Sequence, residues 1–375
     1  MIRHLLVAAL VGSFIIAPRI QAETSNFRTG YIGKGDGAQF AQYTTPQVAR
    51  LGNGQLLAIM SVRSKNDQPQ RRIAGAFSKD GGLSWETRIL HTEIDPKYTT
   101  ADANMLVDDN QVFIYWTRVE KPNSIKKSWT WVIHSTDYGI TWSEPREVLI
   151  PRQYTVGKQH NAIKLADGSY AMGISWDRWP ERGYNAKTEG ETNISTGILL
   201  SRDGFTWNLF GDLHVYIEKT TPHSVNGLAE PSLVQLANGE LYMLLRSGAS
   251  RHYEARSRDG GVTWSAPQMS PLIGHNSPSA LWRVDNTAND IIAVWNQSPV
   301  ARIPLVASLS SDGGRTWSPP RIVATAKRLG VSYPGVTQAA DGAFVVVWQA
   351  HPEEGGRDVA YARFTREWLL QTEKP

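Results

Sequence analysis

Internal repetition is the feature that most constrains how this chain can fold. The pattern Ser-x-Asp-x-Gly-x-Ser/Thr-Trp occurs four times in full and once in a copy that is one residue shorter. The copies begin at Ser78, Ser135, Ser201, Ser257 and Ser310. Neighbouring copies therefore start 53 to 66 residues apart, which predicts a chain built from one recurring structural unit.

The residue types in this pattern are those of a tight loop between strands. In the first copy, the carboxylate of Asp80 can accept hydrogen bonds from backbone N–H groups of its own loop. Gly82 can take the positive φ that strains other residues. Trp85 then supplies a large apolar ring to pack against a neighbouring unit. The pattern thus predicts a loop that is structural.

A second pattern alternates with the first and consists of two short apolar runs joined by a turn. Most of the turns contain Asn-Gly or Asp-Gly, which are the strongest short-range signals of a β-hairpin. The six hairpins span residues 47–60, 104–116, 162–176, 232–245, 279–295 and 336–348. All but the last are followed by an Asp-containing loop.

Together the two patterns predict an all-β protein, a six-bladed β-propeller with blades near 50 residues. Residues 359–364 form the late strand of the last blade, and the stretch around Tyr31 is expected to add a strand that closes the ring. The alternatives are a β-helix or an open solenoid, but these use shorter repeats.

The N-terminus reads as a secretory signal peptide. A short basic start is followed by an apolar run from Leu5 to Ala17, with a small residue, Ala22, at the cleavage position. The alternative is a retained interfacial anchor. We expect residues 1–22 to be removed and residues 23–375 to form a single domain, secreted or periplasmic. No later segment is apolar enough to cross a membrane.

Composition excludes several classes of function. The chain has no cysteine, so it forms no disulfide or thiolate metal site. The net charge is +4 and the basic residues are scattered, which argues against nucleic-acid binding. Four histidines of the expected domain, His91, His134, His160 and His252, are isolated in the sequence, and no metal or other cofactor is expected.

The repeated Ser-x-Asp-x-Gly-x-Thr-Trp unit resembles the Asp-box, or BNR repeat, of the sialidase (neuraminidase) superfamily, and the resemblance covers nearly the whole chain after residue 22. It implies that the Asp-boxes lie on the outer rim, away from the site. Asp-boxes also occur in propellers without sialidase activity, so function must be argued from other residues.

The resemblance also implies a catalytic site. Asp67, in the segment from Arg63, would be the acid/base and Arg63 would line the pocket. Glu230 would be the base that activates a nucleophile, Tyr333. Two arginines would hold a substrate carboxylate, Arg246 and Arg302. The implied activity is retaining exo-hydrolysis of a terminal, acidic sugar of a glycan.

One position departs from the family pattern. Where sialidases carry Arg-Ile-Pro at the first hairpin, this chain reads Thr44-Thr45-Pro46, so the first arginine of a carboxylate-binding triad is missing. Either Arg63 or Arg50 substitutes, or the substrate is not an ordinary sialoside. Two further functions stay open: an exo-glycosidase on another glycan, such as an arabinan, that uses Asp67 and Glu230, or a carbohydrate-binding propeller without catalysis. The run Trp176 to Trp179 is a candidate for stacking on sugars or for rim packing.

Overall fold

The structure is a computed structural model. It describes residues 26–37, 39–65, 72–121, 127–152, 160–178, 193–217, 226–326, 330–352 and 355–371. The predicted signal segment and Asp67 lie outside the described residues.

The described residues form six four-stranded antiparallel sheets, each the blade of a propeller. Blade 1 contains β2 (Gln42–Arg50), β3 (Leu56–Arg63), β4 (Arg72–Ser78) and β5 (Glu86–Thr92). Blade 2 contains β6 (Tyr98–Asp108), β7 (Gln111–Glu120), β8 (Ser128–Ser135) and β9 (Arg146–Val148). Blade 3 contains β10 (Ile163–Lys164), β11 (Tyr170–Asp177), β12 (Ile194–Ser201) and β13 (Asn208–Leu213).

The other three blades repeat this order. Blade 4 contains β14 (Leu228–Gln235), β15 (Leu241–Ser247), β16 (Arg251–Ser257) and β17 (Gln268–Ile273). Blade 5 contains β18 (Ala280–Arg283), β19 (Ile291–Asn296), β20 (Leu305–Ser310) and β21 (Arg321–Ala324). Blade 6 contains β22 (Val331–Gln338), β23 (Phe344–Ala350), β24 (Asp358–Phe364) and β1 (Phe27–Gly33). The prediction of a six-bladed propeller is confirmed.

The N-terminal strand closes the ring. β1 pairs antiparallel with β24, from Phe27 opposite Phe364 to Gly33 opposite Val359, so the outermost strand of the last blade comes from the start of the described chain. The prediction of a closing strand around Tyr31 is therefore correct. The helix α1 (Arg366–Leu370) packs Trp368 on Phe27, with ring centres 4.4 Å apart. No helix in the described part of the chain has the length and apolar character needed to span a membrane.

The hydrophobic core is divided among the junctions between blades. At the junction of blades 1 and 2, for example, Ile59 packs with Trp116, and at the junction of blades 6 and 1, Val48 packs with Val347. Similar clusters lie at the four remaining junctions between neighbouring blades. Because each apolar face is covered only by the next blade, the sheets are stable only as a closed ring.

The Asp-box loops show the chemistry that the sequence predicts. Asp80 Oδ1 accepts hydrogen bonds from the backbone N–H groups of Leu83 and Ser84, at 3.0 and 2.9 Å. These bonds and those from Ser78 and Ser84 hydroxyls lower the pKa of Asp80 to about 2, although partial burial opposes them. The box tryptophan packs on the preceding blade, as Trp207 does on Tyr115 with ring centres 5.8 Å apart.

The antiparallel order sorts the loops onto two faces of the ring. In each blade the first strand begins, and the second strand ends, on one face, which we call the mouth. Each Asp-box follows the third strand and so lies on the opposite face, called the Asp-box face. Of the described candidate residues, Glu230 and Tyr333 lie near first-strand starts and Arg63 and Arg246 near second-strand ends, so these four are at the mouth. Arg302 is on the same face, in the loop between the second and third strands of blade 5.

Candidate functional site at the mouth of the ring

Four blades carry the same irregularity where their first strand leaves the mouth. A β-bulge places two residues opposite one, and the first bulged residue has a positive φ. These residues are Thr45 (47°), Asp102 (51°), Glu230 (46°) and Tyr333 (56°). A left-handed conformation costs a non-glycine residue roughly 1–2 kcal/mol, and such strain is concentrated at functional sites. The bulges therefore mark equivalent positions around one mouth.

The neighbouring blade stabilises two of these bulges. The backbone N–H of Glu230 donates to Ser175 Oγ of blade 3 at 2.8 Å. Likewise, the N–H of Thr45 donates to Gln349 Oε1 of blade 6 at 3.2 Å. A buried backbone donor that leaves the sheet ladder needs such a partner, so the polar ends of the second strands fix the bulges of the next blade.

A buried ion pair lies at the centre of the site. Arg246 Nη1 donates to Glu230 Oε2 at 2.8 Å, and the two side chains are only 8% and 3% exposed. Their strands adjoin in blade 4, where Arg246 pairs with Ala229, the residue before Glu230. The Arg246 guanidinium therefore pairs with Glu230 at a depth where an unpaired charge is costly.

Asn276 links this pair to the second candidate arginine. Arg246 Nε donates to Asn276 Oδ1 at 2.9 Å, and Arg302 Nη2 donates to the backbone carbonyl of Asn276 at 2.7 Å. The guanidinium of Arg302 also lies 5.3 Å from the ring centre of Tyr333, within the range of a cation–π contact. The structure thus brings together Glu230, Arg246, Arg302 and Tyr333.

Buried histidines surround the arginines without adding charge. Burial lowers the pKa of His160 to about 4, although the Glu230 carboxylate opposes it. Burial also lowers the pKa of His252 to about 4, with Arg246 and His160 adding to the shift. His160 and His252, which are isolated in the sequence, are therefore neighbours of the ion pair, and they are neutral near pH 7. The cationic groups of this cluster are therefore its arginines, Arg246 and Arg302.

Blade 1 presents a different surface at the mouth. Thr44 Oγ1 donates to the Ser61 carbonyl at 3.3 Å, and a hollow of about 30 Å³ is lined by Thr44, Ser61, Arg63 and Arg357, among others. Arg63 thus borders the position of the missing arginine. Arg50 does not, because it lies at the far end of β2 and pairs with Asp285 at 2.5 Å. Of the two sequence-based substitutes for residue 44, only Arg63 is in place.

Sequence reasoning missed three mouth residues. Asp102 occupies the blade 2 position that Glu230 and Tyr333 occupy in their blades, and aligning the six hairpins would have revealed it. Asn276 and Arg357 lie outside any recognisable motif. Conversely, Trp176 is 2% exposed and packs in the core, so it offers no open ring face; Trp179 lies outside the described residues.

A sizeable cavity lies apart from the candidate site. It has a volume of about 600 Å³, and its lining runs along the central channel to Arg50, Lys164 and Asp285, at the Asp-box end of the first strands. His160 and Arg50 line it, whereas Glu230, Arg246 and Arg302 do not. Among the described residues, no group of three or more His, Cys, Asp or Glu side chains is placed to hold a metal ion.

The model of the BNR repeat-like domain matches residues 91–347, which is more than half of the chain. The chain belongs to this BNR repeat-like family. Its similarity to solved structures agrees with the match: superposition on the Hadza microbial sialidase Hz136 gives a TM-score of 0.72 at 17% identity, covering 91% of this chain and 69% of that one.

Two further structures resemble this BNR repeat-like protein. The Trypanosoma rangeli sialidase in complex with the inhibitor DANA gives a TM-score of 0.65 at 16% identity, covering 88% of this chain and 56% of that one. A protein of unknown function from Dyadobacter fermentans DSM 18053 gives 0.71 at 17% identity, covering 90% and 99%. The chain spans just over half of the trypanosomal enzyme, and identities this low show a shared fold.

Proposed function

We propose that this protein is a retaining exo-glycosidase of the sialidase type, which hydrolyses a terminal sugar bearing a carboxylate. One observation carries the proposal: Glu230, Arg246, Arg302 and Tyr333 come from three blades and form one connected cluster at the mouth. These are the residues that the sialidase resemblance selects. A secreted or periplasmic location, predicted from residues 1–22, would expose the enzyme to the terminal sugars of glycans.

The charges of the cluster favour an anionic substrate. The cluster contains two guanidinium groups and one carboxylate, which pairs with Arg246, and the nearby histidines are neutral. Planar guanidinium groups pair with carboxylates through two parallel hydrogen bonds. Such a pair selects a negatively charged sugar and also fixes its orientation. Asn276 holds Arg246 and Arg302 through different atoms, so both groups are positioned before the substrate binds.

The chemistry proceeds in two displacements. In the first, Tyr333 Oη bonds to the anomeric carbon and gives its proton to Glu230, while the glycosidic C–O bond breaks and Asp67 protonates the departing oxygen. In the second, Asp67 takes a proton from water, the water oxygen bonds to the anomeric carbon, and Tyr333 leaves and recovers its proton from Glu230. A neutral phenol suits a substrate whose carboxylate would repel an anionic nucleophile.

The proton transfer between Tyr333 and Glu230 requires an intermediary or a closing movement. Both residues are described, and no hydrogen bond joins their side chains; the carboxylate instead accepts from Arg246. Hydrogen bonds of this kind often tighten only when substrate is bound. Meanwhile, the guanidinium of Arg302, 5.3 Å from the ring centre of Tyr333, places a cation beside the proposed nucleophile.

A second candidate function rests on Thr44. Because this residue is neutral and bonds back to its own blade, an exo-glycosidase acting on a different glycan, with Asp67 and Glu230 as its two carboxylates, is the alternative. The two functions differ in one residue: Tyr333 is essential for the first and dispensable for the second.

The test is turnover of a fluorogenic sialoside by the purified protein, next to arabinosides and uronic-acid glycosides. We expect release from an acidic sugar, with the α-anomer as the first product by NMR for a sialoside. Tyr333→Phe and Arg302→Gln should abolish turnover, whereas Arg202→Gln, an exposed Asp-box change, should not. Turnover of neutral sugars only, unchanged in Tyr333→Phe, would refute the proposal.

A further inference from the structure

At blade 1 the mouth lacks a cation on the first strand itself. Position 44 holds a threonine, and the hollow beside it is bordered by two arginines from different blades, Arg63 and Arg357. Arg63 ends β3 of the same blade, whereas Arg357 directly precedes β24 of blade 6. Both arginines therefore line the hollow beside residue 44.

The backbone around Arg357 is fixed against blade 1. The N–H of Tyr43 donates to the carbonyl of Arg357 at 2.9 Å, and Arg357 forms a parallel β-bridge with Gln42. The next residue, Asp358, accepts a hydrogen bond from the N–H of Gly35 at 2.7 Å. Three contacts therefore anchor the base of this exposed side chain next to residue 44.

Arg357 also faces the same space as Arg302. Burial lowers the pKa of His351, and the positive charges of Arg357 and Arg302 lower it further, so one imidazole lies near both guanidinium groups. His351 Nε2 is 2.8 Å from Gln349 Nε2, and Gln349 in turn accepts from the N–H of Thr45. This chain of contacts joins the blade 1 bulge to the loop that carries Arg357, on the side of Tyr333.

We propose that Arg357 supplies the third cation of a carboxylate-binding clamp with Arg246 and Arg302, in place of the arginine that is missing at position 44. The inference rests on the proposed function and makes it more specific. The ligand is a sugar whose carboxylate lies on or next to the anomeric carbon, because the clamp surrounds Tyr333. Arg357 reaches that carboxylate from blade 6, across the junction with blade 1, instead of from the blade 1 strand itself.

The test measures binding of a charged sugar and its neutral ester. Calorimetry with DANA and its methyl ester gives Kd values for the intact protein and for Arg357→Gln, Arg357→Lys and Arg63→Gln; galacturonic acid and its methyl ester, with the carboxylate remote from the anomeric carbon, are the comparison. Arg357→Gln should weaken binding of the preferred acid by about tenfold or more, the scale of one charge-assisted hydrogen bond. Binding of the ester should change less than about twofold, and Arg63→Gln should affect the acid less than Arg357→Gln does.

A rescue variant separates the clamp from a general charge effect. Thr44→Arg in the Arg357→Gln background should recover most of the lost affinity for the acid. Unchanged acid affinity in Arg357→Gln, while Arg302→Gln loses it, overturns the inference and leaves the proposed function standing. If the unaltered protein binds no acid more tightly than its ester, both fail. Because Arg357 is exposed, thermal unfolding of the variant should match the parent protein.

Discussion

Replacing Arg246 with glutamine is expected to destabilise the fold as well as the site. The guanidinium pairs with Glu230 at 2.8 Å, and the two side chains are 8% and 3% exposed, so solvent screens the pair very little. Removing the cation leaves a carboxylate buried without its charge partner. Glutamine keeps one donor group but cannot neutralise the acid.

The expected loss in the free energy of unfolding follows from the burial of the pair. Breaking a buried pair by removing one partner costs about 3–5 kcal/mol, against about 0–1 kcal/mol for an exposed pair. Unfolding entropies near 2 cal/mol/K per residue give about 0.7 kcal/mol/K for a chain of this size, so the melting temperature should fall by roughly 4–7 °C. Removing both charges should cost less than removing the arginine alone.

Chemical and thermal unfolding, followed by tryptophan fluorescence, compare Arg246→Gln with two controls. Arg202→Gln removes an exposed cation that lies 3.3 Å from Asp167 and should change the unfolding free energy by less than about 1 kcal/mol. The double variant Glu230→Gln/Arg246→Gln should recover part of the loss. A single variant as stable as Arg202→Gln would refute the reasoning, because the pair would then be as weak as a surface contact.

Three further outcomes concern the blades. The pKa values of four Asp-box carboxylates are lowered to about 2, those of Asp80, Asp137, Asp259 and Asp312. Their contribution to the free energy of unfolding is therefore complete above pH 3.8, the ordinary pKa of aspartate, and is lost as the pH falls from about 4 to 2. Circular dichroism should show acid unfolding in that window, and a shallower pH dependence in Asp312→Asn. Trp207→Ala, which empties a site only 2% exposed between blades 2 and 3, should cost about 3–5 kcal/mol in urea unfolding. In the same assay, Gly204→Ala should lower the free energy of unfolding more than Gly239→Ala does. Both glycines have positive φ, but a Cβ added at Gly204 would lie 2.8 Å from Phe113, whereas one added at Gly239 would have no atom within 4 Å.

The fold follows from the sequence because its signals are local and repeated. Asn53-Gly54 and the Asp80 loop each specify a turn through their own residues. Six repeated units of similar length are compatible with few folds other than a six-bladed ring. The strand around Tyr31 could be placed because a ring of exposed blade edges needs closure. Each of these inferences depends on residues close together in the chain.

Only those site residues that belong to a sequence motif could be predicted from the sequence. Glu230 and Arg246 lie in one hairpin, so their meeting follows from strand pairing. By contrast, Asn276 and Arg357 reach the mouth from loops of other blades, and their positions depend on how the blades pack. The sequence offers Arg50 as a substitute for the arginine missing at residue 44, but strand β2 carries it to the opposite face, where it pairs with Asp285. Local patterns do not encode contacts between blades.

The measurement that tests the central claim most directly is covalent trapping with 2,3-difluorosialic acid, followed by peptide mass spectrometry. A retaining sialidase with Tyr333 as nucleophile should accumulate a glycosyl adduct on the peptide that contains Tyr333, and the adduct should be absent from Tyr333→Phe. An adduct on a carboxylate such as Glu230, or turnover of a sialoside without any adduct at Tyr333, would contradict the account.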